Sequence, residues 1–148
     1  MTCAVFKTRF SNILIEETNG KIIKIQFTRQ KIKSTTNPAL LRAKKQVLEY
    51  LNKKRTSFSF TIDPNGTKFQ KRVWSQISLI NYGETISYSL LAKKIKSSPR
   101  PVGNACGANP CLLIIPCHRV ISKSGKMGGF SSFGGIVHKD LLLSLEKS

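Results

Sequence analysis

Ile114-Ile115-Pro116-Cys117-His118-Arg119-Val120 is the stretch on which this chain turns. A short apolar, strand-like run delivers a cysteine and a histidine in adjacent positions. A thiol is a nucleophile only as thiolate, and a neighbouring imidazole helps to generate and stabilise that form. Pro116 fixes one torsion and offers no N–H, so the chain enters this point with reduced freedom. An arbitrary Cys-His pair is more often a buried structural cysteine closing a strand. The residues around it therefore decide between the two.

Upstream, Asp63-Pro64-Asn65-Gly66 is turn chemistry and marks a boundary, giving one domain over 1–63 and a second over 64–148. Thr67 and Gln70 have the spacing of a capping box ahead of a helix carrying Phe69, Val73, Trp74, Ile77 and Ile80. Ser87 through Ile95 suits a short helix. Ser98-Pro99-Arg100-Pro101 can cap and start another, because proline is tolerated in a first turn. Two helices across a tight turn predict a helix-turn-helix. The second contains Gly103, Ala105, Gly107 and Ala108, small residues that let a helix sit close against sugar-phosphate walls. The same residues would also serve helix–helix packing.

The first half reads as a small α/β unit. Residues 3–9 and 12–17 look extended, and Asn19-Gly20 is a two-residue hairpin signal before an Ile/Phe-rich strand at 21–28. Asn37-Pro38 supplies a cap and a first-turn proline for a helix with Leu40, Leu41, Val47, Leu48 and Leu51 at helical spacing. Phe58, Phe60 and Ile62 alternate like a last strand.

A formal net charge of +18, from 25 basic and 7 acidic residues among 148, makes a field that attracts a polyanion, and nucleic acid is the leading partner. No stretch approaches the ~20 apolar residues of a membrane helix, and the first residues lack a secretory core; the expectation is an intracellular, cytoplasmic protein with no membrane contact. Cys3, Cys106, Cys111 and Cys117 contain no CxxC pair, so no metal is expected. Cys106 and Cys111 are close enough in sequence to permit a disulfide, although free thiols are the default in a reducing cytosol.

The motif Pro116-Cys117-His118-Arg119-Val120 resembles the active-site signature of the O6-alkylguanine-DNA alkyltransferases, which take alkyl groups off guanine in DNA. Tyr82-Gly83-Glu84-Thr85-Ile86-Ser87-Tyr88 is similar to the family's lead into its first DNA-binding helix, and Arg100-Pro101-Val102-Gly103-Asn104-Ala105 to its recognition helix. Asn109-Pro110, Gly128-Gly129-Phe130-Ser131 and Leu141-Leu142-Leu143-Ser144-Leu145-Glu146 extend the match over roughly residues 67 to 146. The resemblance implies a ribonuclease-H-like α/β support domain followed by a mostly helical winged-helix domain. It implies stoichiometric transfer of an alkyl group, methyl above all, from guanine O6 to the protein's own cysteine, with thymine O4 as a second candidate substrate. No cofactor is implied, and the partner is double-stranded DNA, bound through the minor groove by a monomer with the alkylguanine flipped out.

The family's roles fall on matching positions. Cys117 would attack the alkyl carbon, His118 would be its base through a water, and Glu146 would orient the imidazole. Tyr88 would hydrogen-bond guanine N3, and Asn109 would tie together the turns between the recognition helix and the active-site strand. The backbone carbonyls of Cys117 and Val120 would accept from the exocyclic amine, Ser131 or Ser132 would contact O6, and Phe130 would wall the pocket where the family usually has tyrosine. Arg100 matches the arginine that fills the gap left by the flipped base, followed here by Pro101 rather than the usual alanine. Two other classes compete. A lesion-binding alkyltransferase-like protein would lack Cys117, and a Cys-His hydrolase would show a separate oxyanion motif and spatially separated partners.

Overall fold

The structure, a computed structural model, describes residues 2–122 and 135–147. The chain divides into two compact units, residues 1–65 with 110–114 and residues 66–109 with 115–148. The second half thus lends a short segment to the first unit, which the linear boundary at 63 does not anticipate.

In the first unit β1 (Thr2–Phe6), β2 (Asn12–Thr18) and β3 (Lys21–Thr28) form an antiparallel sheet in that order, with Ala4 opposite Ile15 and Ile15 opposite Ile25. The β2–β3 turn is Asn19-Gly20, both at positive φ (52° and 81°), the handedness that matches strand twist in a two-residue hairpin. Helix α1 (Pro38–Leu51) starts where Asn37 Oδ1 accepts from Ala39 N and Leu40 N at 2.9 and 3.1 Å. Its face of Leu40, Ala43, Val47, Tyr50 and Leu51 is buried, while Leu41 is exposed.

The expected last strand at 58–62 does not form. Ser59 gives its N–H to Gln46 Oε1 at 2.9 Å and takes a bond from Gln46 Nε2 at 2.8 Å, so a side chain of α1 satisfies what a sheet neighbour would. Only Ile62 bridges β3, opposite Ile22.

In the second unit the Thr67–Gln70 capping box opens α2 (Lys68–Ile77). A Cβ on Gly66 would lie 2.4 Å from the Trp74 ring, so only glycine lets the chain pass before this helix. Trp74 Nε1 donates to Ala105 O at 2.8 Å, tying α2 to α4 (Pro99–Gly107). Helix α3 (Tyr88–Lys94) is capped by Ser87, whose hydroxyl accepts from Leu90 N at 3.0 Å. Ser98 takes the same place before α4 without a side-chain cap bond; the first turn of α4 relies on Pro99. The strands β4 (Ile86–Ser87) and β5 (Val120–Ile121) pair in parallel, and α5 (Gly135–Lys147) follows. Because β4 runs directly into α3 and β5 directly follows Cys117–Arg119, this two-residue pairing sets the start of α3 beside the cysteine segment.

Candidate active site

The run before Cys117 is a turn and not the strand its apolar residues predict. Leu113 sits at φ 75°, unusual for a leucine, and Pro116 at φ −80°, ψ 65° makes an inverse γ-turn closed by Cys117 N donating to Ile115 O at 2.8 Å. Proline suits this turn because its ring already holds φ there. One 3₁₀ turn, Cys117–Arg119, follows. The expected hinge residue reaches this point: Asn109 Nδ2 donates to Ile115 O at 2.8 Å and to Cys117 Sγ at 3.1 Å.

Glu146 is the hub of the site. Far from fraying, its side chain is 1 % exposed. Its Oε1 accepts from Arg119 Nε at 2.8 Å and Gly83 N at 3.2 Å, and its Oε2 from Arg119 Nη2 at 2.8 Å and His118 Nε2 at 2.8 Å. Gly83 presents its N–H from φ 82°, which accounts for a glycine in the Tyr82-Gly83-Glu84 run. Arg119 completes its own bonding with Ile80 O at 2.7 Å and lies over the Tyr82 ring. A carboxylate only accepts, so the shared proton sits on His118 Nε2 and Nδ1 is the nitrogen able to take another. Burial lowers the imidazole below its ordinary 6.5 against the opposing pull of Glu146, which keeps His118 neutral and basic near pH 7.

Cys117 itself is buried, and desolvation raises its thiol well above the ordinary range. The bond from Asn109 and the charge of Lys139 work the other way. The Cys106 thiol raises it further and is itself shifted downward by Cys117. All four cysteines are free thiols.

Tyr88 opens α3, and burial raises its phenol, which therefore stays protonated. Lys139 Nζ lies 3.5 Å from Tyr88 Oη and donates to Val120 O at 2.7 Å, so a carbonyl expected to receive a substrate amine already receives an ammonium. Sequence reasoning missed Lys139, Arg119 and Cys106 as members of this cluster. A signal existed for the first: Lys139, Leu142, Leu143 and Glu146 recur at i, i+3, i+4, i+7 and share one buried helix face.

On α4, Arg100 is exposed and Gly103 and Gly107 partly so, and Ala108, just past its end, is exposed; a Cβ on either glycine would meet nothing within 4 Å. Ala105 departs from the expectation. It is 2 % exposed and packs with Val102 and Cys106 on the inner face, because helical period turns it toward Trp74. Phe130, Ser131 and Ser132 lie outside the described residues. Among the described residues no group of three or more His, Cys, Asp or Glu could hold a metal ion, and no helix is long and apolar enough to cross a membrane.

Residues 68–148 match the model of the 6-O-methylguanine DNA methyltransferase DNA-binding domain. The chain is 45 % identical over 104 residues to the inducible methylated-DNA–protein-cysteine methyltransferase of Bacillus subtilis, an alignment covering 69 % of this chain and 57 % of that relative's length. It also resembles the crystal structure of the Mycobacterium tuberculosis O6-methylguanine methyltransferase, with TM-score 0.87 and 33 % identity over 98 % of this chain and 92 % of that one. A crystal structure of the M. tuberculosis protein in complex with DNA matches with TM-score 0.86 and 35 % identity, over 97 % and 91 % of the two chains.

Proposed function

The chain belongs to the 6-O-methylguanine DNA methyltransferase family, and from that premise we propose that it repairs DNA by moving an alkyl group from guanine O6 to Cys117, once per molecule. The observation that carries this is the buried His118–Glu146–Arg119 chain of hydrogen bonds next in sequence to the buried Cys117, residues in the order nucleophile, base, orienter, clamp.

In the step itself, the Cys117 proton passes through a water to His118 Nδ1. The sulfur attacks the alkyl carbon, the carbon–oxygen bond breaks, and its electron pair leaves with guanine. Tyr88, held protonated by burial, donates toward guanine N3 as charge builds there, with the Lys139 ammonium 3.5 Å behind the phenol oxygen. Asn109 stabilises the thiolate through its 3.1 Å contact and holds the turn that presents it. The thioether that results is neutral and a poor alkyl donor, since breaking its carbon–sulfur bond would have to expel a thiolate, which makes the reaction stoichiometric. The carbonyls of Cys117 and Val120 would select guanine by its exocyclic amine, that of Val120 through its second lone pair. Ser131 or Ser132 would reach O6 and Phe130 would wall the pocket.

The residues 64–148 domain would bind duplex DNA through the minor groove as a winged helix, with α3 and α4 as its helix-turn-helix, and the 1–63 domain would be a ribonuclease-H-like support. Gly103 and Gly107, open on the α4 surface beside Arg100, favour close backbone approach. Arg100, exposed in the first turn, would occupy the hole left by the flipped base, since the alkyl group cannot be reached within the stack. Alkylated duplex DNA incubated with the protein should leave one alkyl increment on its intact mass. Product exceeding one equivalent of protein would overturn single turnover, and binding without an increment would favour a lesion-binding module.

A further inference from the structure

Cys106, Cys111 and Cys117 are buried, whereas Cys3 on β1 is only half-buried, so a reagent arriving from solvent meets Cys3 before the other thiols. Its sulfur has a close neighbour. Lys33 Nζ lies 3.5 Å from Cys3 Sγ. The backbone sets this contact: Val5 N donates to Lys33 O at 3.0 Å and Lys33 N to Val5 O at 2.9 Å, an antiparallel bridge that pins residue 33 to the side of β1 away from β2. Cys3 precedes Val5 by two residues and its side chain leaves the same face. Cys3 and Lys33 are therefore diagonal neighbours across the bridge, within reach of a long side chain. Lys33 is exposed, and the pair opens on a cleft of about 590 Å³ lined by Thr2, Cys3, Lys33, Ser34, Thr35 and Thr36. All six belong to the first unit, and alkyl transfer at Cys117 uses none of them.

We propose that Cys3 and Lys33 form an acyl-relay site, which takes an acyl group from a thioester such as acetyl-coenzyme A and leaves it as an amide on Lys33. The Cys3 thiolate attacks the thioester carbonyl, the carbon–sulfur bond to the carrier breaks, and the carrier departs as a thiolate that takes up a proton from water. Lys33 Nζ, having given one ammonium proton to water, then attacks the same carbonyl carbon, now bonded to Cys3 Sγ. That carbon–sulfur bond breaks, Nζ sheds a second proton, and the Cys3 thiol is regenerated. One thioester and one ammonium give one amide, one carrier thiol and one proton.

Sulfur is the better first acceptor, because thiolates exchange readily with thioesters while a lysine amine is mostly protonated near pH 7. The second transfer is intramolecular, and an amine held beside the carbonyl replaces a collision with a positioned attack. Four hydroxyl side chains of the cleft, those of Thr2, Ser34, Thr35 and Thr36, are donors for the carbonyl oxygen as charge builds on it. Coenzyme A carries phosphates, which a net charge of +18 draws to the surface. Acylation removes the charge of Lys33 and leaves its backbone bridge to Val5 in place.

Full-length protein incubated with acetyl-coenzyme A, then digested at an acid pH that preserves thioesters, is read by peptide mass. N-acetylation of Lys33 should run roughly tenfold or more ahead of that of Lys31, an exposed lysine two residues away on the same segment. Cys3→Ala and Cys3→Ser, each shown folded by circular dichroism, should bring Lys33 down to the Lys31 rate. Lys33→Arg should trap the first step, leaving on Cys3 an S-acetyl group that hydroxylamine removes. Lys33 acetylated as fast in both Cys3 variants as in the unaltered protein, or S-acetyl-Cys3 persisting in the unaltered protein beside an unmodified Lys33, would overturn the relay.

Discussion

The two units of this chain bury different things. The first, residues 1–65 with 110–114, encloses an apolar core in which Glu17 and Gln46 are the buried polar side chains among those described. The second buries Asn109, His118, Arg119, His138, Lys139 and Glu146. Net charge does not distinguish them, since residues 1–65 hold 13 basic and 4 acidic side chains and residues 66–148 hold 12 and 3. Taking ionisable groups out of water costs several kcal/mol each unless they are paired and hydrogen-bonded. The second unit meets that cost by giving Glu146 four donors. The first buries one such group, Glu17, which accepts from Gly20 N and Asn37 Nδ2, each at 3.0 Å. The lesson is that the disposition of buried charge, and not total charge, separates the unit that holds the candidate site from the other.

The largest effect that would break this comparison comes from Cys117→Ser, which should abolish transfer and leave duplex binding nearly intact, as read by single-turnover transfer and a salt titration of affinity. Affinity should fall with salt at about −0.9 in log–log slope per phosphate contact, and an affinity indifferent to salt would sink the DNA-facing role of the basic side chains.

Next come two truncations with similar cost and opposite meaning. Glu146→Ala leaves Arg119 unpaired in the interior and should destabilise the protein by about 3–5 kcal/mol. Leu40→Ala, at a fully buried position of α1, should cost about 2–5 kcal/mol through its cavity. Denaturant melts measure both. Transfer rates taken where each variant is folded should then diverge, with Glu146→Ala slowed and Leu40→Ala unchanged; equal slowing would erase the distinction between the units.

Arg100→Ala sharpens the comparison within the second unit. A residue that fills the gap of a flipped base should slow transfer from saturating duplex DNA far more than from free alkylguanine, which needs no flipping. Arg100→Lys should recover charge and little of the stacking. Full rates for both variants on saturating duplex would leave only a phosphate contact.

The pH dependence follows from His118. Its folded-state value lies below the ordinary 6.5, so between the two the unfolded chain binds a proton that the folded chain refuses. This contribution to stability is present above about pH 6.5 and is lost as pH falls toward the folded value. Transfer should lose its base over the same acid range and rise again with alkali, because burial holds the Cys117 thiol high. A transfer rate flat from acid to alkaline pH would remove both groups from the mechanism.

The smallest change is Gly103→Ala. Its Cβ meets nothing within 4 Å, so the helix should gain up to about 1 kcal/mol from propensity. Duplex affinity should nevertheless drop if the α4 surface needs close approach. A variant more stable and equally tight would show that the small residues serve folding alone.

How much of this was legible in advance depended on the range of the interaction. The hairpin at Asn19-Gly20, the cap at Asn37 and the box at Thr67–Gln70 are contacts within four residues, and their chemistry is written where it acts. The sequence by itself therefore determined the first four helices, the three strands of the antiparallel sheet and, through the Pro116–Val120 motif, the candidate nucleophile and the family. Tertiary structure decided the rest. Gln46 displaced the strand at 58–62 by satisfying Ser59 from a neighbouring helix, the turn at Pro116 replaced an expected strand, and Ala105 turned inward to Trp74. Lys139 reached Val120. Each of these joins groups separated by 13 to 31 residues or reverses a local preference, and a buried polar group takes whatever partner the fold brings within reach.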